Sequence, residues 1–204
     1  MRTRYGDSLV IVEWHPYAHD SLNINPDDSL RVARYVHNLG QPSLVLDGYR
    51  AVEMPSDPSQ FYSTFDDAIR VVKSESTFVT LMVDSAKADS AQGRVFVRLA
   101  ADSIAPGTSP TLYCVVTEDS LVPDTVFGGA YFRVPAQFVP DPNGIPVSSL
   151  RRGDTLDTIL TFATAGHRLD MLGAAVFVED ASGSEEHRVL QSVTISRFVL
   201  TEDK

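Results

Sequence analysis

Apolar residues follow two different rhythms along this chain, and the change between them comes at Ser74-Glu75-Ser76. Ahead of it, short apolar runs alternate with longer stretches whose apolar residues lie three or four apart. Residues 9–14 (Leu-Val-Ile-Val-Glu-Trp) are almost continuously apolar and β-branched, the pattern of a strand buried on both faces of a mostly parallel sheet. A polar stretch then leads to Asn25-Pro26-Asp27-Asp28, which reads as an N-cap, a first-turn proline and two acids facing the helix dipole. The predicted helix runs to about Asn38, with Leu30, Ala33, Tyr35 and Val36 as its packing face and Gly40 placed to end it. Residues 44–46 form a short strand after Pro42, Asp47-Gly48 turns the chain back, and residues 49–54 are the hairpin partner. After a Pro/Ser/Asp loop, residues 61–72 are helical in pattern, with Phe61, Phe65, Ala68, Ile69 and Val72 on one side.

From Thr77 onward the period is two. Apolar residues alternate at Phe78, Val79, Leu81 and Val83, then at Val95, Val97 and Leu99, then at Leu112, Tyr113, Val115 and Val116, with polar turn clusters between them. Residues 119–150 carry Gly128-Gly129 and several prolines, and read as a long crossing connection with one short strand at 130–134. Strands at 155–163, 172–179 and 189–198 complete the set, the last two joined by a polar tip. The predicted class is α+β. A partial thioredoxin-like α/β layer at 1–75, in which a βα unit feeds a proline-opened strand, precedes an immunoglobulin- or fibronectin-like antiparallel β-sandwich at 76–204.

Composition narrows the function classes. A formal charge of −10 repels phosphate backbones and anionic lipid surfaces, so nucleic acid is not an expected partner. No run approaches the roughly 18 consecutive apolar residues of a membrane-spanning helix. Nor does the start read as a signal peptide, so the chain is expected either to be cytoplasmic or to begin inside a longer one. Cys114 is the single cysteine, which excludes an intrachain disulfide and a Cys-x-x-Cys redox motif within these residues.

Several short motifs carry a resemblance. The run Val10-Ile11-Val12-Glu13-Trp14-His15-Pro16, then Arg34-Tyr35 ahead of Gly40-Gln41-Pro42-Ser43-Leu44-Val45-Leu46-Asp47-Gly48, resembles the outer-membrane-protein-28-related family of Gram-negative bacteria. Val115-Val116-Thr117-Glu118-Asp119-Ser120, Ala175-Val176-Phe177-Val178-Glu179-Asp180 and Val189-Leu190-Gln191-Ser192 agree with it, so the likeness covers nearly the whole chain. It implies a thioredoxin-like domain joined to an immunoglobulin-like sandwich, and a periplasmic, outer-membrane-associated or extracellular location. It also implies that the proline at 42 is cis and that Gln41 and Pro42 flank a peptide-docking groove; the residue-level alternative is a proline that merely opens a strand. One departure stands out. The family's first strand and Cys-x-x-Cys helix precede the strand that here is 9–14, so the chain reads as lacking that strand, and the edges of 9–14 and 44–46 are left without the neighbour between them.

The remaining candidates favour structural accounts. His15 and His19, with Glu13 and Asp20 nearby, have zinc-ligand chemistry, but Pro16 breaks the spacing and they read as loop histidines. His37, His167 and His187 are isolated in sequence. Cys114 lies mid-strand, as a packing thiol would, and Asp141-Pro142-Asn143-Gly144 reads as a turn rather than a calcium loop. Asp27-Asp28 and Asp66-Asp67 read as helix-start acids. No cofactor or metal is expected. The expected function is a non-enzymatic cell-envelope or secreted binding or assembly module, with protein or peptide as partner and homo-oligomer formation through unpaired strand edges open to it. The alternative is the C-terminal part of a thiol-disulfide oxidoreductase relative with its active cysteines upstream.

Overall fold

A computed structural model of the chain describes residues 5, 9–14, 27, 44–53, 55–103, 108–120, 133–147, 150–180, 182 and 187–201. Among these residues the architecture is α+β and mostly strand. A hairpin of β1 (Leu44–Leu46) and β2 (Arg50–Val52) is followed by helix α1 (Phe61–Lys73). Then come β3 (Val79–Ala88), β4 (Gln92–Ala101), β5 (Pro110–Glu118), β6 (Val134–Val139), β7 (Ile145–Pro146), β8 (Thr155–Ala163), β9 (Leu172–Asp180), β10 (Arg188–Ile195) and β11 (Val199–Leu200). The helix expected to end near Asn38 lies outside the described residues apart from Asp27, which is in a turn.

The hairpin and α1 share a small apolar cluster, with Leu46 and Val52 against Ala68, Ile69 and Val72. Asp57 caps the turn that leads into α1, its Oδ1 accepting from Ser59 N at 2.9 Å. The backbone N–H of Ser59 accordingly holds the Asp57 carboxyl below the usual range. Asp66, expected at a helix start, sits instead in the second turn and is buried. It accepts from Tyr5 Oη at 2.6 Å and pairs with Arg70 at 2.8 Å, so its charge is satisfied sideways rather than by the helix dipole.

Two sheets pack face to face beyond α1. One has the order β11-β3-β4-β8; the other runs β10-β9-β5-β6, with β7 continuing the β6 edge along β5. Their shared core joins Val79, Leu81, Val95, Val97, Leu99, Leu160 and Phe162 of the first to Leu112, Cys114, Val116, Leu172, Val176 and Val178 of the second. The two sheets differ in one respect. Strands β3, β4 and β8 alternate between buried and more accessible positions, whereas β5 and β9 are buried almost without interruption. The outward residues Tyr113, Val115, Phe138 and Phe177 form a second cluster, on which Trp14 stacks against Phe138 at 5.8 Å.

Three expectations are corrected. Residues 9–14 are not in a ladder: they cross toward the second sheet, where Glu13 N donates to Arg133 O at 3.1 Å and Trp14 covers Phe138. Of the strand expected at 130–134, residues 130–132 lie outside the described residues, and the strand described there runs on over Val134–Val139, because Pro135 is tolerated on an edge at the bulge opposite Val116 and Thr117. The strand expected over 189–198 breaks after Ile195, whose carbonyl accepts from Arg133 Nη1 at 3.0 Å. The chain then crosses to the first sheet, burying Phe198 edge-on to Phe162 at 5.4 Å before β11 pairs with β3 in parallel.

Gly93 faces Phe162 across the β4–β8 ladder, and a Cβ there would lie 2.0 Å from the Phe162 ring, which Phe198 backs. Gly93→Ala is expected to cost about 1–3 kcal/mol by overpacking, read as a lowered denaturant midpoint with unchanged m. A midpoint equal to wild type would show that the ring yields.

Candidate functional site

A cleft of about 630 Å³ opens where the hairpin and helix meet the second sheet. Leu44, Val45, Leu46 and Asp47 form one wall, residues 9–12 line it as well, and residues 188–192 of β10 border it. Phe65, Ile69 and Val72 of α1 supply apolar side chains to it. In a strand, consecutive side chains point to opposite faces, so a groove along one face collects alternate residues. Here β1 and β10 both contribute consecutive residues, so the cleft runs along strand edges. β1 pairs with β2 on its other edge, and β10 ends its sheet's order beside β9.

The hairpin turn shapes one end. Tyr49 N donates to Leu46 O at 3.2 Å across Asp47 and Gly48, whose φ values of 45° and 75° require residues that tolerate the left-handed region. Asp47 O in turn accepts from Val189 N at 2.7 Å, tying the turn to the β10 edge. Around that tie, Arg188 pairs with Glu75, Tyr49 Oη donates to Glu75 Oε1, and the Arg188 guanidinium lies 5.6 Å from the Tyr49 ring centre. Loss of hydration and the neighbouring Glu75 charge raise the pKa of Asp47, with Arg188 opposing. Among the described residues no side chain bonds the Asp47 carboxylate.

Gln41 and Pro42 lie outside the described residues; the β1 wall begins two residues after Pro42. His15, His19, Asp20 and His37 lie outside them as well. His167 and His187, isolated in sequence, each meet a buried carboxylate: His167 Nδ1 is 3.3 Å from Glu118 Oε2, and His187 Nδ1 is 3.1 Å from Glu179 Oε1. Glu118 and Glu179 stand at opposite ends of the β5–β9 ladder, so these are two separate pairs. A third buried group joins Asp119 to Arg133, whose backbone N donates to Asp119 Oδ1 at 2.8 Å, while Arg197 approaches Asp119 Oδ2 at 3.5 Å. The signal for these groups was a charged residue ending an apolar run, as in Thr117-Glu118-Asp119 and Val178-Glu179.

Cys114 is fully buried, and desolvation pushes its pKa up to about 12. Asp141 to Gly144 is a turn, with Asn143 N on Asp141 Oδ1 at 2.7 Å and Gly144 N on Asp141 O. Among the described residues no cluster of three or more His, Cys, Asp or Glu is placed to hold a metal ion, and no helix is long and apolar enough to cross a membrane.

No family model matches the sequence, and no curated protein matches it. Solved structures do. HBP35 of Porphyromonas gingivalis superposes with a TM-score of 0.71 at 11% identity, over 91% of this chain and 64% of that one. A domain of the outer membrane lipoprotein Omp28 from Porphyromonas gingivalis also matches, with a TM-score of 0.42 at 14% identity, over 61% of this chain and 92% of that one. This chain therefore shares its fold with HBP35 and spans 64% of that protein's length.

Two outcomes follow from the titrating groups. The Cys114 thiol is expected to stay silent toward a thiol-disulfide reagent at pH 8 and to react once denaturant unfolds the chain; prompt reaction of the native protein would contradict its burial. Asp47 has a folded pKa above its unfolded one, so its contribution to stability is present in full below the unfolded value of 3.8 and is lost as pH rises through the folded value. Asp47→Asn, which keeps the turn's φ, is expected to raise Tm at pH 7, with the gain closing as pH falls toward 3.8. A gain independent of pH would point to the turn rather than the charge.

Proposed function

We propose that this chain is a non-enzymatic binding or assembly module of the cell envelope or secreted space, and that its partner is protein. The observation that carries the reading is the cleft along the β1 and β10 edges, with apolar side chains within and Asp47, Glu75 and Arg188 about its rim. Such a site holds a ligand by contact area and main-chain hydrogen bonds, and among the described residues nothing around it supplies an activated nucleophile. Among the described residues, catalytic readings gain no support elsewhere. Cys114 is buried with a raised pKa, and Glu118 and Glu179 are buried carboxylates paired with His167 and His187 in the manner of structural partners.

The architecture we infer is a redox-inactive thioredoxin-like remnant at 1–75 and an immunoglobulin-like sandwich at 76–204. The sandwich assignment is supported by strand order. With β3, β4, β5, β8, β9 and β10 read as strands A, B, C, E, F and G, and β6 with β7 as C′, the sheets are A-B-E against G-F-C-C′. The remnant is supported by the hairpin that follows Pro42 and by α1 packed on it. The envelope location follows the resemblance of the 10–16, 40–48 and 175–180 motifs to the outer-membrane-protein-28-related family.

A panel of extended peptides titrated against the fluorescently labelled chain tests this. Binding is expected, and Ile11→Asp, at an exposed position lining the cleft, is expected to weaken it by about tenfold or more without lowering Tm. Catalytic reduction of a disulfide substrate by the chain, or peptide affinity indifferent to Ile11→Asp, would overturn the reading.

A further inference from the structure

We infer that β8 is an interface and that its partner is the β8 of a second copy of this chain, the two strands running antiparallel about a two-fold axis at Ile159. The surface belongs to the other sheet, apart from the cleft, and the inference stands independently of the binding reading above.

The sheet edges are not treated alike. β11 is two residues long, β6 carries Pro135 and a bulge, and β10 carries a bulge between Val189 and Gln191 and is tied to Asp47. Each device blunts an edge against pairing. β8 ends its sheet beside β4 and has none of them. It runs over Thr155–Ala163 without proline, glycine or lysine, in unshifted register with β4 from end to end. β6 approaches it from the facing sheet, but no ladder joins the two. At the midpoint of this edge Ile159 is 54% exposed.

The phase of the hydrogen bonds shows what the edge offers. At one end of the β4–β8 ladder Ala101 N donates to Asp154 O at 3.0 Å, and beyond the other end Thr164 N donates to Ala91 O at 3.3 Å. With the register unbroken between them, the even-numbered residues of β8 bond to β4, and Thr155, Asp157, Ile159, Thr161 and Ala163 turn their N–H and C=O groups outward. Among the described residues no hydrogen bond engages those main-chain groups. The same residues carry the strand's exposed side chains.

Self-complementarity favours a second copy. Ile159 is the centre of the strand, so a two-fold axis there overlaps its whole length and joins the outward groups in about ten main-chain hydrogen bonds. Ile159 meets its own copy, and because Phe96 lies across the ladder from Ile159, an apolar row of Phe96 and Ile159 from each copy crosses the interface. Asp157 is the strand's one charged residue; it is held by Arg98 Nε at 2.7 Å and falls opposite the partner's Thr161. Arg94 stands across from Thr161 in β4, exposed and without an ion pair among the described residues. The partner's Arg94 is therefore two strand spacings, about 10 Å, from Asp157, a distance the two side chains together span. The acid comes between two arginines. An axis through Asp157 would instead set carboxylate against carboxylate and overlap little more than half the strand.

Sedimentation velocity of the chain from micromolar to millimolar concentration tests this. A monomer–dimer equilibrium is expected, and Ile159→Lys, which sets two ammonium groups at the axis, is expected to weaken it by about tenfold or more without lowering the Tm of the dilute protein. Hydrogen exchange is expected to slow with rising concentration at the amides of Asp157, Ile159 and Thr161, while those of Thr158 and Leu160, already bonded to β4, stay unchanged. Oxidation is expected to cross-link Ile159→Cys, whose Cα atoms stand about 5.5 Å apart across the axis, and not Thr155→Cys, whose copies stand about 27 Å apart. A monomer at every concentration overturns the inference and leaves the edge to a partner of another sequence. So does a dimer indifferent to Ile159→Lys, equal protection of both sets of amides, or cross-linking of Thr155→Cys as readily as Ile159→Cys. Assemblies that grow past the dimer also overturn it, because a two-fold contact closes. None of these outcomes touches peptide binding at the cleft, which Ile11→Asp reports separately.

Discussion

The structure depends on β5 and β9, the central strands of the sheet β10-β9-β5-β6, being buried on both faces. The sheet's inner side chains, Leu112, Cys114, Val116, Val176 and Val178, complete the sandwich core, and its outer ones, Tyr113, Val115, Phe138 and Phe177, need a cover of their own. Fully burying such a side chain is worth about 1.5–3 kcal/mol, and an uncovered aromatic face of this size would invite association. Trp14 supplies part of the cover, stacked on Phe138, and Glu13 ties that segment to Arg133 O. The position of residues 9–14, and with it one side of the cleft, is thus set by what the sheet's outer face requires.

A sheet covered on both sides has nowhere wet to end its strands, which explains the buried charges. Glu118, Asp119 and Glu179 lie at strand ends and are held by His167, Arg133 with Arg197, and His187 respectively. Such pairs contribute little net stability, because desolvation offsets their attraction; losing one partner strands a buried charge at about 3–5 kcal/mol. Their effect is to fix where strands stop. Arg133 takes the Ile195 carbonyl and so ends β10, and it packs where Gly173 carries no side chain, since a Cβ there would sit 3.0 Å from Arg133 Nη1. Phe198 can then enter the core from the other sheet.

The cleft is the remaining edge problem. Antiparallel sheets leave two outer strands, and a long unpaired edge is an aggregation hazard. Among the described residues, the β10 edge is blunted where Val189 N meets Asp47 O and by the Arg188–Glu75 pair beside it. That tie brings the turn after β1 alongside β10.

Periodicity made much of this legible. The hairpin around Asp47-Gly48, helix Phe61–Lys73 and strand Thr155–Ala163 follow from local pattern, because turn glycines, three-to-four spacing and alternation act over a few residues. The double burial of β5 and β9 departs from the alternation expected after Thr77, although its signal stands in the unbroken apolar runs Leu-Tyr-Cys-Val-Val and Ala-Ala-Val-Phe-Val. What the chain could not decide by itself was pairing over long distances: that Trp14 meets Phe138, that His167 and His187 find Glu118 and Glu179, that Asp66 reaches Tyr5, and that Asp47 is tied to Val189. Apart from His187 and Glu179, eight positions apart, these contacts join residues tens to more than a hundred positions apart, and each depends on which surfaces the packed sheets leave to be covered. Local preference determined the elements of this protein; only tertiary packing decided the edges that face one another, because a cleft is made by what two distant segments fail to fill.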